Sequence, residues 1–248
     1  MKINTDFTLN KPICNDCFNI FPQIESGSVD MILCDLPYGT TQCKWDSVLP
    51  LDKLWKEYNR IIKKNGAIVL FSSQPFTSVL INSNIKNFKY TWVWEKSKAT
   101  NYLNAKKQPL RASEDICVFY QKQPTYNPQM TEGKPYNKGT ALRETEVYGS
   151  QVAVEVKSDG ARYPRNVIYF KTAESEGKVV HPTQKPLALL EYLIQTYSNE
   201  GEIILDNTAG SFSTAVAATK LNRNWIGIEQ EEKYCKIGLE RLEKLITE

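Results

Sequence analysis

Four residues at the end of a short apolar run could hold a planar ring that carries an amino group. The run Val29–Cys34 has the length of a buried strand, and it is followed by Asp35, Leu36, Pro37 and Tyr38. A carboxylate, a backbone carbonyl before a proline and an aromatic face can together bind such a ring. In isolation, the same tetrapeptide is more often a turn with a capping aspartate and a packed tyrosine. It is therefore a candidate site that needs support from the rest of the chain.

A second candidate site is the run of small residues Asp206–Ser211, between a predicted strand and a predicted helix. Glu229 ends the next predicted strand, 19 residues after Gly210, where an acid can bind ribose hydroxyls. The run has a single glycine, so it matches neither the dinucleotide fingerprint nor the phosphate-binding loop. It favours an adenosine-type ligand without a pyrophosphate. The alternative is an ordinary strand–helix turn with a surface glutamate.

Hydrophobic periodicity predicts the elements that position these two groups. The predicted strands are Val29–Cys34, Ala67–Phe71, Tyr90–Trp94, Asp115–Tyr120, Glu202–Leu205 and Trp225–Ile228. Helices are predicted at Leu51–Lys64, after Pro75, from Lys185 to Asn199, at Ser211–Leu221 and at Glu231–Ile246. Two β-α-β blocks around an irregular middle indicate an α/β sheet with helices on both faces. Ligands collect at the carboxyl ends of strands in such sheets, so both candidate groups are expected at that edge.

The charge of the chain is concentrated in one segment. The 31 basic and 28 acidic residues give a net charge of +3, but residues 86–111 have seven basic residues against Glu95 alone. The basic residues are Lys86, Lys89, Lys96, Lys98, Lys106, Lys107 and Arg111, and the aromatic residues between them are Tyr90, Trp92, Trp94 and Tyr102. This mixture is typical of a surface that neutralises phosphates and stacks bases. A solvated basic loop beside core aromatic residues explains it equally well.

Residues 121–177 lack regular periodicity and are rich in proline, glycine, threonine and charged residues. A connection this long inside a compact domain is usually functional. Its eight basic and seven acidic residues give a net charge of +1, and most of the acids cluster away from Arg162 and Arg165. These two arginines are candidates for contact with guanine edges or phosphates, or are ordinary solvated charges.

Cysteine and histidine usage excludes several classes of protein. The six cysteines of a chain of 248 residues do not form a disulfide scaffold, and the pair Cys14 and Cys17 has no second pair to complete a zinc site. With a single histidine, His181, a metal site that needs two is excluded, and we predict no metal. No apolar run reaches membrane-spanning length, and the first residues do not resemble a secretory signal, so we expect a cytoplasmic protein.

Five stretches together resemble the amino-group DNA methyltransferases. Asp35–Tyr38 is similar to their motif IV, [Asp/Asn/Ser]-Pro-Pro-[Tyr/Phe/Trp], with Leu36 in place of the first proline. Asn15–Cys17 resembles the Gly-Asp-Cys upstream of that motif, and His181–Pro186 resembles motif X. Asp206–Thr214 and Trp225–Glu229 resemble motifs I and II. Motif IV lies before the irregular middle of the chain, and motifs X and I lie after it. This permuted order is that of the β class, and the resemblance implies a Rossmann-like methyltransferase sheet.

The resemblance implies transfer of a methyl group to the N6 amino group of an adenine flipped out of duplex DNA. Asp35 and the Leu36 carbonyl would accept the amino hydrogens, while Tyr38 stacks on the base beside Pro37. The alternatives are a cytosine-N4 methyltransferase and a catalytically silent DNA-binding subunit. The second is suggested by Phe212, which replaces the last glycine of motif I where the backbone must approach the cofactor.

The resemblance also implies S-adenosyl-L-methionine as the cofactor. Glu229 would bind its ribose, Asp16 its adenine end, and the Asp206–Ser211 turn its methionine portion, with Lys185 and Thr183 at the carboxylate or the adjoining backbone. The residues expected to contact it are Asp16, Asp35, His181, Thr183, Lys185, Asp206, Thr208, Gly210, Ser211, Phe212 and Glu229. His181 could equally be a turn residue before Pro182.

The expected organisation has three parts: a catalytic half at 1–120, a target-recognition insertion at 121–177 and a cofactor-binding half at 178–248. Double-stranded DNA is the expected partner, and no membrane is. Its expected contacts are Lys96, Lys98, Lys106, Lys107, Arg111, Arg162 and Arg165. A second copy of the chain and a cognate restriction enzyme are further candidate partners. The family implies a bacterium or a phage as the source.

Overall fold

The computed structural model describes residues 5–39, 47–141, 144–147, 149–150, 153–177, 179–181 and 183–247. Cys43, one of the six cysteines, and Pro182, in the stretch that resembles motif X, lie outside these residues. The chain divides into two compact units, a large one of Met1–Asn127 with Asn166–Glu248 and a small one of Pro128–Arg165. The large unit contains the residues of both candidate groups. No helix of the described residues is long and apolar enough to cross a membrane.

Strands and helices alternate through most of the large unit. Its helices are α1 (Cys17–Ile20), α2 (Leu51–Ile61), α3 (Phe76–Ser83), α4 (Leu187–Tyr197), α5 (Ser213–Lys220) and α6 (Glu232–Thr247). Its first strands are β1 (Pro12–Cys14), β2 (Val29–Asp35), β3 (Ile62–Ser72), β4 (Phe88–Thr100) and β5 (Arg111–Phe119). The small unit has β6 (Thr131–Glu132), β7 (Tyr136–Ala141), β8 (Glu144–Thr145), β9 (Gly149–Ser150), β10 (Val154–Ser158) and β11 (Ala161–Arg162). The large unit continues with β12 (Val167–Phe170), β13 (Ile203–Asp206) and β14 (Asn224–Glu229).

The strands of the large unit form one eight-stranded sheet in the order β1-β14-β13-β2-β3-β5-β4-β12. Neighbouring strands pair in parallel except at β5, which is antiparallel to β3 and to β4. The central neighbours β14, β13 and β2 end at Glu229, Asp206 and Asp35, respectively. The three acids therefore lie at one edge of the sheet, as the sequence predicts.

Alternating side chains of β2 bury both faces of the sheet. Met31 and Leu33 belong to the core on one face, which includes the apolar residues of α4 and α5. Ile32 and Cys34 belong to the core on the other face, together with the apolar side of α2. Because successive side chains of a strand point to opposite faces, a wholly apolar strand requires cover on both. The predicted α/β fold with helices on both faces is confirmed.

The structure differs from the predicted elements where tertiary pairing overrides periodicity. Helix α2 ends at Ile61 rather than at Lys64, because Ile62 is already extended and pairs with Val29 of β2. Lys63 then forms a 2.6 Å ion pair with Asp30. The strand therefore begins earlier than its apolar run, and its pairing with β2 is irregular between Ile62 and Ala67.

The expectation that Trp92 and Trp94 belong to an outer surface that stacks bases is wrong. Both side chains are buried in the core, where alternate residues of β4 face the sheet interior. The Trp92 indole donates to the Tyr197 hydroxyl at 2.6 Å, and the Trp94 indole donates to the Phe170 carbonyl at 3.0 Å. Tyr102, which lies beyond the end of β4, is the exposed member of the set.

The expectation that the Phe212 side chain contacts the cofactor is also wrong. The residue has a φ of +60°, and its side chain is fully buried in the core. Its ring lies 6.4 Å from the Trp225 ring, and a Cβ added at Gly238 would lie 2.1 Å from Phe212 Cδ2. Glycines at 227 and 238 thus leave the space that this ring fills, so the change in motif I is accommodated inside the fold.

We expect Gly238→Ala to destabilise the protein, although alanine in a helix is ordinarily more stable than glycine by about 1 kcal/mol. The added methyl group would overlap the Phe212 ring, and such overpacking costs about 1–3 kcal/mol. Thermal unfolding of the wild type, Gly238→Ala and Gly238→Ala with Phe212→Leu measures the effect. The smaller Leu should recover part of the loss, and a rise in Tm for Gly238→Ala alone would contradict the packing described.

Candidate functional site

A cavity of about 710 Å³ lies at the carboxyl edge of β2, β13 and β14. It is lined by most of the predicted site residues: Asp16, Asp35, Leu36, Pro37, Tyr38, Lys96, Arg111, His181, Thr183, Lys185, Asp206, Thr208, Gly210, Ser211 and Glu229. Predicted residues that do not line it are Lys98, Lys106, Lys107 and Phe212 in the large unit, and Arg162 and Arg165 in the small unit. The fold thus joins the two candidate groups in a single space.

Both carboxylate oxygens of Asp35 accept a short hydrogen bond. The Tyr38 hydroxyl donates to Oδ1 at 2.7 Å, and the Lys185 ammonium donates to Oδ2 at 2.6 Å. Burial raises the pKa of Asp35, with the Lys185 charge opposing the rise and the Glu114 charge adding to it. The carboxylate is therefore a half-buried acceptor held in place from two sides.

Tyr38 and Leu36 show how the tetrapeptide is fixed. The Tyr38 ring stacks on the Phe76 ring with centroids 5.3 Å apart and an interplanar angle of 24°. The Leu36 side chain is buried in the core that α2 covers, so an apolar residue at this position packs the turn onto the fold. Leucine in place of proline is therefore compatible with the position of Asp35.

Lys185 is the middle of a buried chain of charges that the sequence did not reveal. Its Nζ lies 3.4 Å from Glu114 Oε2, and Glu114 Oε1 lies 3.2 Å from the Nζ of Lys96. Glu114 Oε2 makes this ion pair but no hydrogen bond among the described residues. Burial alone would raise the pKa of Glu114, but the charges of Lys185 and Lys96 outweigh it and the pKa is lowered. The pKa of Lys185 is raised, because Asp35 and Glu114 outweigh its desolvation.

Lys96 is not one of the exposed basic residues, and DNA binding by its side chain stays a prediction. Its residue surface is 9% exposed, and the ammonium group is bonded to Glu114. Strand β4 extends to Thr100, so Lys96 is a sheet residue whose side chain lines the cavity. Glu114 was missed because β5 begins at Arg111, four residues before the strand start predicted at Asp115. In the paired strands, Glu114 lies opposite Trp94, which is two residues from Lys96. This register depends on which strands pair, so the sequence alone could not predict it.

Carboxylates and hydroxyls dominate the other side of the cavity. Glu229 Oε2 accepts from the Gly210 amide at 2.8 Å, and its Oε1 accepts from the Glu231 amide at 2.8 Å. Asp16 caps α1 by accepting from the Phe18 amide at 2.7 Å. Burial raises the pKa of Asp206 to about 7, partly opposed by hydrogen bonds from Thr214 and the Thr208 amide. Three acids in this space disfavour a phosphate, whereas they suit the hydroxyl, amino and ammonium donors of S-adenosyl-L-methionine.

His181 lies against this side of the cavity. Its ring centroid is 4.2 Å from that of Tyr234, and the Thr183 amide donates to its Nδ1 at 3.3 Å. Burial, with help from the charges of Lys185 and Lys233, lowers the pKa of His181 to about 4. The imidazole is therefore neutral near pH 7, and its role towards a cofactor stays a prediction. Among the described residues, no group of three or more His, Cys, Asp and Glu side chains could hold a metal ion.

The remaining predicted DNA contacts lie on the surface. Lys98, Lys106, Lys107 and Arg111 are exposed in the large unit, and Arg165 is exposed in the small one. The Arg162 guanidinium is held within the small unit, where it donates to Ser158 Oγ and the Lys134 carbonyl and lies 4.7 Å from the Tyr136 ring. These contacts give Arg162 a structural role, and DNA binding by the two arginines stays a prediction.

Comparisons with known proteins show which proteins this chain is similar to. A family model described as DNA methylase matches residues 29–240. The DNA adenine methyltransferase YhdJ of Escherichia coli (strain K12) is 29% identical over 254 residues, covering 93% of this chain and 82% of that protein. The crystal structure of the M1.HpyAVI–SAM complex has a TM-score of 0.63 and 26% identity, covering 94% of this chain and 98% of that chain. The cytosine-N4-specific PvuII DNA methyltransferase has a TM-score of 0.65 at 13% identity, covering 98% and 93%, respectively, which shows a common fold.

We expect Asp206→Asn to change how stability depends on pH. A carboxyl with a pKa near 7 in the folded protein and about 3.9 when unfolded binds more protons in the folded state between these values. The wild type should therefore lose stability relative to Asp206→Asn as pH rises from about 4 to 7, by at most about 4 kcal/mol.

Chemical unfolding of both proteins from pH 5 to pH 8 tests this expectation. Asp52→Asn, which removes an exposed carboxyl group from α2, controls for the loss of one charge. A difference between the wild type and Asp206→Asn that stays constant across this range would contradict the raised pKa.

Proposed function

The chain belongs to the DNA methylase family, and on that premise we propose that it methylates the N6 amino group of adenine in double-stranded DNA with S-adenosyl-L-methionine as the methyl donor. The observation that carries the proposal is the placement of Asp35. Asp35 is the last residue of β2, and its half-buried carboxylate accepts a hydrogen bond from Tyr38 in the cavity that Glu229 and the Asp206 turn also line. An acceptor for an amino group and a set of acids suited to a nucleoside therefore share one space.

The Asp35 group would act on the amine by orienting it. The lone pair of an adenine amino group is delocalised into the ring, which makes the nitrogen a weak nucleophile. A hydrogen bond to the Asp35 carboxylate and another to the Leu36 carbonyl favour a pyramidal nitrogen whose lone pair points out of the ring plane. Tyr38, stacked on Phe76, offers an aromatic surface for the flipped base. Asp35, whose pKa burial raises, is placed to accept the proton that the amine must lose.

The acids on the far side of the cavity would hold the methyl donor. We assign Glu229 to ribose hydroxyls, Asp16 to the adenine end, and the Asp206–Ser211 turn to the methionine portion. When bound there, S-adenosyl-L-methionine supplies an electrophilic methyl group. The neutral His181 adds no positive charge to that side of the cavity.

Movement of Lys185 would free one oxygen of Asp35 for an amine. Its ammonium donates a hydrogen bond to Asp35 Oδ2 at 2.6 Å, while the Tyr38 hydroxyl donates one to Asp35 Oδ1. Glu114 Oε2 is 3.4 Å from the same ammonium and makes no hydrogen bond among the described residues. We infer that Lys185 turns from Asp35 to Glu114 as the amino group arrives. The exchange keeps the lysine paired with an acid and so avoids leaving a charge unpaired in a buried site.

Two alternatives have less support. An aspartate at the first position of the tetrapeptide favours adenine over cytosine, and the YhdJ relative is named an adenine methyltransferase. The argument for a silent DNA-binding subunit was the Phe212 side chain, which lies in the core and does not line the cavity. A second copy of the chain, a cognate restriction enzyme, target recognition by residues 121–177 and a cytoplasmic location stay predictions.

Incubation with plasmid DNA and methyl-labelled S-adenosyl-L-methionine, followed by nucleoside analysis, tests the function. We expect label in N6-methyladenosine for the wild type and none above background for Asp35→Ala, because the variant lacks the acceptor of the amine. The thermal shift caused by the methyl donor should remain in the variant, since a ligand of the folded state stabilises it. Label in methylcytosine would overturn the base assignment, and no label with no thermal shift would favour the silent subunit.

We expect Glu114→Gln to lower kcat by about 10- to 100-fold with little change in the affinity for the methyl donor, because Lys185 loses its second carboxylate. The Glu114 charge raises the pKa of Asp35, so the acid limb of the kcat profile should also shift to lower pH. Glu174→Gln, at an exposed residue on the cavity wall, is the matched control. Unchanged kcat in Glu114→Gln, or a loss that only follows a lower Tm, would contradict the exchange.

A further inference from the structure

The hairpin of β4 and β5 continues beyond the cavity wall. Lys96 and Glu114 line the cavity, and the strands remain paired as far as Thr100 and Arg111. Residues 101–110, here called the hairpin tip, connect the two strands beyond that pair. Arg111 and Glu114 are three residues apart on β5, so the tip begins roughly 10 Å from the buried charges. A ligand that enters the cavity from the solvent therefore has the hairpin tip beside it.

The hairpin tip exposes two large apolar side chains on an ordered turn. Tyr102 is 76% exposed and Leu103 is 83% exposed. The turn has its own hydrogen bonds, from Asn104 Nδ2 to Asn101 Oδ1 at 2.8 Å and from the Lys107 amide to the Asn104 carbonyl at 2.8 Å. Asn101 adopts a φ of +70°, which starts the turn. Adjacent exposed apolar side chains on a turn with its own hydrogen bonds are typical of a binding surface.

The charges around these side chains favour a polyanion as the occupant. Lys98, Lys106, Lys107 and Arg111 are exposed on or beside the hairpin tip, and no acidic residue occurs between Ser97 and Ser113. An apolar groove of a protein does not require this concentration of positive charge, whereas the phosphates of a duplex do. Tyr102 and Leu103 lie between basic residues, and this arrangement is complementary to duplex DNA. The phosphates on the outside of the duplex suit the basic side chains, and the base faces inside suit the apolar ones.

We propose that Tyr102 and Leu103 enter the base stack of duplex DNA beside the target adenine and fill the gap that the flipped base leaves. The proposal rests on the proposed function. Extraction of a base costs stacking and pairing, and an apolar side chain inserted between base steps replaces part of that contact. Lys106 and Lys107 would bind the flanking phosphates and hold the hairpin tip against the backbone. The cavity would bind the flipped base, while the hairpin tip stabilises the duplex from which the base came.

The test compares duplexes in which flipping is costly with duplexes in which it is easy, once the target adenine has been located in labelled plasmid. Tyr102→Ala with Leu103→Ala should lower kcat on the paired duplex by about 10- to 100-fold, because the unstacked state loses its apolar filler. On a duplex whose target adenine faces an abasic site, most of the loss should disappear. Ile85→Ala is the matched control, since Ile85 is 62% exposed and lies just before the opposite end of β4.

The lysines provide a second comparison. Lys106→Ala with Lys107→Ala should weaken binding to all DNA sequences alike and flatten its salt dependence. Equal losses for the Tyr102 and Leu103 variant on both duplexes, no loss on either, or a change in self-association alone would overturn the insertion. If the wild type labels no adenine, the proposed function fails. If it does and the tip variant matches it on both duplexes, only the insertion fails.

Discussion

The ion pair between Asp35 and Lys185 joins the two parts of the sequence on which the site depends. The residues are 150 positions apart, and their charged atoms are 2.6 Å apart in a buried space. Asp35 ends β2, and Lys185 stands shortly before α4, where the sequence motifs of the proposed cofactor side begin. The pair therefore brings the acceptor of the amine and the acids assigned to the methyl donor to one edge of the sheet. Because both charges are desolvated, neither can be left alone at low cost.

This constraint explains the presence of Glu114 and Lys96. Asp35 with Lys185 alone would be a neutral pair with no second partner for the cation. The added acid and lysine keep the buried group neutral overall, with two carboxylates and two ammonium groups. They also give Lys185 an acid on each side. The arrangement resolves a conflict in the proposed chemistry, in which the acceptor must be held in position and must also become available to the substrate.

Much of the fold could be predicted from the sequence, because local patterns and tertiary structure agree in it. The apolar run Val29–Cys34 and the acid that follows it gave the position of the site, since a buried strand and the turn after it are both local features. The end of α2, the burial of Lys96 and the role of Glu114 could not be predicted, because each depends on which strands pair. Phe212 shows the same limit, since the space for its ring comes from glycines at 227 and 238.

The two acids that flank Lys185 are strand residues, so an exchange of Lys185 between them needs no movement of the backbone. Asp35 is the last residue of β2, and Glu114 is held in the paired ladder of β5 opposite Trp94. Their backbones are fixed by the sheet, whereas Lys185 reaches both from a flexible four-carbon stem. Transfer of its ammonium from one acid to the other thus requires only side-chain rotation, which takes place in picoseconds to nanoseconds when the side chain is unhindered. The site can therefore respond to an arriving base without any movement of the sheet.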